Sequence, residues 1–180
     1  EGFYYKPRID KELLAEYAEG LIALSSCGRG EIAHNINKEN IPRAIKMAGQ
    51  YRDIMGQNNF FLELQNHKME YQEKINNELV KIGDKLSLPL VATNNCHYLD
   101  REDFHAHEIL LCLQTGKTMS DQYRMRYPSD EYYFKSPEEM SELFRDIPQA
   151  IENTLKIAER CELEIDFDKL NFPDYPVPEN

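Results

Sequence analysis

The sequence predicts an α/β fold built from parallel strands and crossover helices. Three short apolar runs have the length of strands, and each is followed by a longer segment whose apolar residues recur at helical spacing. Strand–helix units in series favour parallel strands joined by right-handed crossovers. The predicted strands are residues 21–24, 60–64 and 89–93, and the helices after them span 40–56, 70–86 and 103–113.

Capping and turn residues set the first boundaries. Asp10 is expected to cap a helix that runs through Glu19, and Gly20 ends it before the first strand. All four residues of that strand are apolar, which is typical of a buried parallel strand. Asn40 is expected to cap the next helix, with Pro42 in its first turn.

The character of the chain changes to helix after the third strand. Two further helices are predicted at residues 136–144 and 148–161, where Ser-Pro and Pro provide starts. Residues 171–178 are rich in proline and have no periodicity, so they predict an extended segment. We therefore assign 1–165 to the folded unit and 166–180 to a linker.

Composition limits the function classes. Hydrophobic residues make up 41% and charged residues 29% of the 180, which is enough for one core and a polar surface. No apolar run is long enough to cross a membrane, and the start has neither a secretory pattern nor a Met, which suggests a part of a longer protein. The net charge of -11 repels phosphate, so tight nucleic-acid binding by this segment alone is not expected. Four cysteines without CxxC spacing indicate reduced thiols and a cytoplasmic setting.

Polar clusters follow all three predicted strands. They are residues 25–27, 63–67 and 94–97, and parallel strands bring such clusters to one edge of a sheet. Cys and His are common ligands of zinc-like ions, so the clusters are a candidate metal site. The alternative for Cys27 is a small buried thiol at a tight turn, and both interpretations remain open.

Other motifs favour structural roles. His105 and His107 lie two apart in a predicted helix and diverge, so we expect one to be packed and one solvated rather than a ligand pair. The tyrosine-rich segment 123–133 contains Arg124 and Arg126, which could indicate nucleic-acid stacking. Acidic residues flank it, so a packed surface loop is favoured. The sequence has no phosphate-binding glycine loop, no nucleophile elbow and no polymerase palm motif.

Several ordered stretches together carry a family resemblance. They are 3–10, Gly20-Leu-Ile-Ala-Leu-Ser-Ser-Cys27, 60–67, 91–98 with Asn94-Asn-Cys-His-Tyr98, 106–117, 138–140, 143–144, 150–154 and 172–178. In this order they resemble the PHP (polymerase and histidinol phosphatase) region of bacterial DNA polymerase III alpha subunits. The resemblance covers nearly the whole chain, and the last stretch looks like the lead into the polymerase core.

The resemblance implies a partial (βα)7-type barrel with a metal cluster at the carboxyl ends of its strands. Most ligands of the family, including a His-x-His, come from a region upstream of this chain. Cys27 matches a family ligand, and His97 matches the histidine of the family motif Asn-Asp-x-His-Tyr. Asn95 stands at the aspartate of that motif and offers only a neutral oxygen, which weakens a cation site. Glu63 and His67 are expected near the site, and no catalytic residue is assigned.

The resemblance also implies function. Intact family members polymerise DNA; some of their PHP regions are metal-dependent 3′–5′ exonucleases, while others have degenerate sites and serve stability and docking. The first hypothesis is a structural and docking module with a weakened metal site. The second is a working exonuclease or phosphoesterase site in the intact protein. The third, a free-standing α/β domain unrelated to replication, is disfavoured by the ordered stretches.

Cofactor and partner expectations follow from the same resemblance. Zinc, manganese or magnesium is expected in the intact family but not in stoichiometric amount in this segment, since Cys27 and His97 are its only strong ligands. The expected partners are the rest of the alpha subunit and a proofreading exonuclease subunit. DNA is expected to be a partner only through the intact protein, and no membrane is expected.

Overall fold

The structure is a computed structural model that describes residues 3–167. Strands and helices alternate along most of the chain. In chain order they are β1 (Phe3–Tyr4), β2 (Lys6–Pro7), α1 (Lys11–Glu16), β3 (Ala23–Leu24), α2 (Glu31–Asn37), α3 (Ile41–Met55), β4 (Phe60–Gln65), α4 (Glu70–Leu86), β5 (Leu90–Thr93), a 3₁₀ turn (Arg101–Asp103), α5 (Phe104–Thr115), α6 (Pro137–Leu143) and α7 (Pro148–Arg160).

A three-stranded parallel sheet lies at the centre of the fold. β4 pairs with β3 on one side and with β5 on the other, so the strand order is β3-β4-β5. β1 and β2 form a separate antiparallel pair. The α/β class and the parallel arrangement of the three predicted strands are thus confirmed.

The two faces of the sheet differ. Leu62 and Leu64 of β4 are fully buried in the main core, whereas Glu63 and Gln65 alternate with them and face the opposite side. Side chains from α2, α3, α4 and the segments of α6 and α7 complete that core, and α7 packs on β5. The helices therefore cover one face of the sheet, as in the outer layer of a βα barrel.

The predicted caps set the helix starts. The Asp10 side chain accepts a hydrogen bond from Leu13 N at 2.8 Å, and the Asn40 side chain accepts one from Arg43 N at 3.2 Å. α3 and α4 agree with their predicted ranges to within one residue. α1 ends at Glu16, three residues before its predicted end, because the chain turns there and buries Ala18 in the core.

The expectation of a buried first strand is wrong. Leu21 and Leu24 are 49% and 38% exposed, and β3 has only two residues. β3 lies at the edge of the sheet and pairs with β4 alone, so its outer side has no neighbour within residues 3–167. An apolar run indicates that a strand is suited to burial, but it does not determine how many strands lie beside it, which depends on the rest of the sheet.

Helix α2 was not predicted. It has seven residues and begins after Gly30, where a Cβ atom would lie 2.5 Å from the carbonyl oxygen of Ser25. Glycine is therefore required by the close turn between β3 and α2. The helix is too short for a clear period, although Ile32, Ala33 and Ile36 enter the core.

The chain beyond α7 is irregular where it is described. Residues 161–167 have no helix or strand and are exposed. The predicted linker, 166–180, lies almost wholly outside the described residues and stays a prediction. Within residues 3–167, no helix combines the length and the apolar character that crossing a membrane requires.

Candidate functional site

A cleft of about 780 Å³ lies at the carboxyl ends of the three parallel strands. Its wall includes Cys27 from the loop after β3, His67 from the loop after β4, and Asn95 and His97 from the loop after β5. Parallel strands place their following loops at one edge, which explains why residues far apart in sequence meet here. The role of Cys27 and His97 as metal ligands stays a prediction.

The loop after β3 presents Cys27 at this wall through local hydrogen bonds. Ser25 is buried, and its hydroxyl accepts a hydrogen bond from Glu63 N at 2.8 Å, which joins the loop to β4. The Cys27 carbonyl accepts from Gly30 N at 2.8 Å and closes the turn. The thiol of Cys27 is free and half-buried, so the structure leaves both of its interpretations open.

Glu63 lies beside the cleft rather than on its wall. Its Oε1 accepts hydrogen bonds from Thr93 Oγ1 at 2.5 Å and from Gln65 Nε2 at 3.0 Å. A smaller cavity next to these groups is bounded by Glu63 and also by Cys27. The Glu63 carboxylate is thus held by hydrogen bonds from neighbouring side chains on the same face of the sheet.

His67 is buried, with 1% of its surface exposed, and stacks on Tyr132 with ring centroids 4.1 Å apart. Its backbone N–H donates to Gln72 Oε1 at 2.7 Å, and Gln72 Nε2 lies 2.7 Å from the ring Nδ1. At the other ring nitrogen, the backbone N–H of Asn95 donates to Nε2 at 3.3 Å, which joins His67 to the loop after β5. Burial, followed by the charge of Lys135, lowers the pKa of His67 to about 4, although hydrogen bonds with Asn94 and Gln72 oppose the change. His67 is therefore a neutral, packed histidine.

His97 faces the cleft within a group of rings. Its Nε2 lies 2.9 Å from the hydroxyl of Tyr127, and the His107 ring centroid is 5.6 Å away. Partial burial, then the charge of His107, lowers the pKa of His97. His107 is half-buried and its Nδ1 has no partner among the described residues, whereas His105 is exposed. The prediction of one packed and one solvated histidine is confirmed.

The residues present do not by themselves fit the metal cluster that the resemblance implies. Within residues 3–167, no three His, Cys, Asp or Glu side chains are grouped so that they could hold a metal ion. A closed zinc site needs about four ligands. Cys27 and His97 are the thiol and imidazole candidates on the wall, and Asn95 adds only a neutral amide.

Arginine side chains line this cleft, although the polar clusters after the three strands had predicted a metal site here. Arg29, Arg124 and Arg126 are on its wall, and the described wall includes neither Asp nor Glu. Arg124 forms an ion pair with Glu108 on α5 at 2.7 Å. This contact packs the loop that contains Arg124 against α5, in agreement with the predicted packed loop. The arginine lining was not predicted, because its only signal in the sequence is the Arg-x-Arg spacing at Arg124 and Arg126.

A buried ion cluster holds the loop of residues 116–136 over the strand ends. Glu131 is 2% exposed and contacts Lys68 at 2.5 Å, Arg101 at 2.9 Å and Lys135 at 3.2 Å. Burial alone would raise the pKa of Glu131, but hydrogen bonds from Lys68 and Lys135 lower it below its ordinary value. Ser129 Oγ also donates to the His67 carbonyl at 3.1 Å, so the loop is bound to the end of β4.

Comparisons with known proteins agree with the resemblance in the sequence. Residues 1–67 match the family described as PHP domain. The chain is 44% identical over 179 residues to the DNA polymerase III subunit alpha of Borreliella burgdorferi and 42% identical over 178 residues to that of Treponema pallidum, in both cases over 99% of the chain. It is 40% identical over 210 residues, covering 100% of the chain, to that of Chlamydia pneumoniae.

The chain corresponds to a small part of these relatives. It spans 16%, 15% and 17% of the Borreliella, Treponema and Chlamydia proteins, respectively. The matches nevertheless cover 99%, 99% and 100% of the chain, from the paired strands at its start through the helices after the sheet. The cleft, the loop of residues 116–136 and the Glu131 cluster all lie inside the matched region.

Proposed function

We propose that this chain, which belongs to the family of bacterial DNA polymerase III alpha subunits, is a structural and docking PHP segment whose metal site is weakened. DNA-templated DNA synthesis is the proposed activity of the intact protein. The segment contributes a folded support at the edge of that protein's PHP region. It is proposed to be inactive on its own.

The lining of the cleft is the observation that carries the weakened metal site. Arg29 and Arg126 give the wall positive charge, Arg124 is paired with Glu108 behind it, and the described wall itself includes no carboxylate. Such a wall disfavours a divalent cation, because its exposed arginines repel a like charge and no carboxylate on the wall attracts one. Asn95 at the position of the family aspartate removes one further negative charge.

The partners follow from family membership. We propose that the segment packs against the rest of the alpha subunit and docks a separate proofreading exonuclease subunit. DNA reaches it only through the intact protein, because the chain carries a net charge of -11 and repels phosphate overall. The proposed setting is the cytoplasm, where the free thiols remain reduced.

Metal analysis of the intact polymerase tests the weakened site. The intact protein is compared with its Asn95→Asp variant, and Asn77→Asp, on the exposed side of α4, makes the same charge change away from the cleft. We expect Asn95→Asp to raise the content of bound zinc or manganese and Asn77→Asp to leave it unchanged. Equal, stoichiometric metal in all three proteins would contradict the proposal.

A metal-dependent 3′–5′ exonuclease in the intact protein is the second candidate. It is favoured by the presence of Cys27 and His97 on one wall, since both are strong ligands and an upstream region could add others. On this alternative, divalent zinc, manganese or magnesium supplies the activated water. Hydrolysis of single-stranded DNA by the intact protein that is lost with chelator, and lost in His97→Ala, would support this candidate over the first.

A further inference from the structure

A groove separate from the cleft lies between the start of α4 and the turn that joins α6 to α7. It has a volume of about 560 Å³, which is within the size range of pockets that bind small ligands. Its wall comes from the end of β4, from residues 66–77 and from residues 143–147, and it shares no described residue with the wall of the cleft. The groove is therefore a second surface and not an extension of the cleft.

The floor of this groove is apolar. Leu64 and Phe144 are buried in the main core and form its base. Met69, Leu143 and Ile147 line it beside them and are only partly buried, so each leaves apolar surface in contact with water. Removal of such surface from water favours binding of an apolar group.

The rim of the groove is acidic. Glu70, Glu73 and Asp146 line it and are exposed, and within residues 3–167 none of their carboxylates has an ion-pair or hydrogen-bond partner. Lys68 is the one lysine or arginine on the described wall, and it is paired with Glu131 at 2.5 Å. The groove therefore keeps a negative charge that its own residues do not balance.

Helix ends explain part of this charge. Acidic side chains near a helix N-terminus interact favourably with the helix dipole. Glu70 and Glu73 lie in the first turn of α4, and Asp146 lies two residues before α7. The dipole does not explain why an apolar surface stays open between the two helix starts. Glu12 lies in the first turn of α1 and outside the groove, so it shares the position at a helix start without the groove.

We propose that this groove docks a peptide segment of a partner protein that carries arginine or lysine on both sides of large apolar side chains. The apolar side chains enter the floor, and the cationic groups pair with the carboxylates of the rim. Charge complementarity selects this partner, because an acidic segment or a nucleic acid is repelled by the same rim. The inference rests on the proposed docking role and adds to it a surface and the chemistry of the partner. It does not depend on the metal site.

NMR titration of the isotope-labelled 180-residue chain with three acetylated tetrapeptide amides tests the groove. The first peptide is Arg-Leu-Phe-Arg, the second has glutamate in place of both arginines, and the third has Gly-Ser in place of Leu-Phe. We expect the first to bind saturably with a dissociation constant below about 1 mM and to shift the amide signals of residues 66–77 and 143–147. The second and third are expected to bind about tenfold more weakly or less, because each lacks one half of the complementary chemistry.

Each other outcome of the titration contradicts the proposal. They are the absence of saturable binding of Arg-Leu-Phe-Arg at millimolar concentration, signal changes confined to another surface, and equal binding of either altered peptide. Signal changes at the groove on dilution of the chain without peptide would identify a second copy as the occupant. None of these outcomes alters the metal content of the intact protein or the docking of a subunit elsewhere, so failure of the groove is distinguishable from failure of the proposed function.

Charge substitutions assign the binding to the rim. Glu73→Lys is expected to weaken binding of Arg-Leu-Phe-Arg about tenfold or more, with a smaller factor at high salt. Glu12→Lys makes the same change in the first turn of a helix outside the groove and should bind as the unaltered chain does. Glu73→Gln keeps the shape of the side chain and should weaken binding by a smaller factor, and the NMR spectrum shows that each variant is folded. Undiminished binding by folded Glu73→Lys or Glu73→Gln shows that the rim does not select the partner.

Discussion

Glu131 and Arg124 are buried ions in the same loop, seven residues apart, and their surroundings differ. Glu131 contacts the cationic groups of Lys68, Arg101 and Lys135, so one carboxylate has three partners. Arg124 contacts one carboxylate, Glu108, and keeps two buried donors without a partner in the described chain. Glu131 thus has more oppositely charged partners than it has charges, whereas Arg124 has fewer hydrogen-bond acceptors than it has buried donors.

This difference separates a fully paired buried ion from a partly paired one. A buried charge whose hydrogen bonds are all made fixes the position of its chain segment. A buried charge with unmade hydrogen bonds costs stability, and such a cost is retained where a ligand or solvent group can complete it. Glu131 therefore holds the loop of residues 116–136 over the strand ends, whereas Arg124 is a buried charge whose hydrogen bonds are incomplete in the described chain.

Glu131→Gln is expected to have the largest effect on folding. It keeps the shape of the side chain but removes the charge, which leaves buried Lys135 without its carboxylate. Removing one partner of a buried ion pair costs about 3–5 kcal/mol, and the partial exposure of Lys68 and Arg101 favours the lower end. Urea unfolding followed by circular dichroism measures the free energy of unfolding.

Glu142→Gln is the matched control for that substitution. Glu142, on α6, forms an exposed ion pair with Arg145 in the turn that follows the helix, and such pairs contribute about 0–1 kcal/mol. If Glu131→Gln destabilises the chain no more than Glu142→Gln does, the cluster does not hold the loop. In that case the full pairing of Glu131, compared with the partial pairing of Arg124, would have no consequence for the stability of the fold.

His67 is expected to make folding depend on pH. Its pKa is about 4 in the folded chain against an ordinary value of 6.5, because burial disfavours the charged imidazole. The unfolded chain binds more protons between these values, so stability is fully present above about pH 6.5 and falls as the pH is lowered toward 4. The loss corresponds to about 3 kcal/mol at most.

Unfolding by urea at several pH values between 4 and 7 measures this dependence, in the unaltered chain and in His67→Gln. Glutamine has no titrating group, so the variant should lose most of the slope between pH 6.5 and 4.5. Glu131 and Asp130 contribute a separate loss at lower pH, because their lowered pKa values favour the charged forms in the folded chain. An unchanged slope in His67→Gln would assign the effect to other groups.

The sequence predicted the regular parts of the fold because their signals are local. Asn40 and Ser136 carry their own capping hydrogen bonds, and the apolar residues of α4 recur within one segment. β3 was expected to be buried and is half-exposed, because the number of neighbouring strands is not a local property. α2 was missed because seven residues after Gly30 provide too few turns for a period.

The candidate site was predictable only in outline. Polar residues after parallel strands predicted that Cys27, Asn95 and His97 would lie at one edge, and they line one cleft. The arginine lining was not predicted, since the burial of Arg124 depends on Glu108, sixteen residues earlier in the chain. Long-range pairing of this kind leaves no periodic pattern in the sequence.

Asp130→Asn is expected to have the smallest effect on the free energy of unfolding. It tests whether the Glu131 cluster stabilises the fold because Glu131 is buried or because Arg101 is held by well-oriented hydrogen bonds. Asp130 binds Arg101 through two hydrogen bonds of 2.7 and 3.1 Å, but both side chains are more than 40% exposed. Arg101 also keeps Glu131 as a partner after the change. The loss in the free energy of unfolding is therefore expected to be below about 1 kcal/mol and to shrink further in about 1 M salt, where charges are screened within about 3 Å.

Urea unfolding at low and high salt measures this loss. The larger loss in Glu131→Gln should persist at high salt, because water and ions do not reach the Glu131 carboxylate. A loss in Asp130→Asn as large as that in Glu131→Gln would mean that the two-bond geometry at Arg101, and not the burial of Glu131, holds the loop in place.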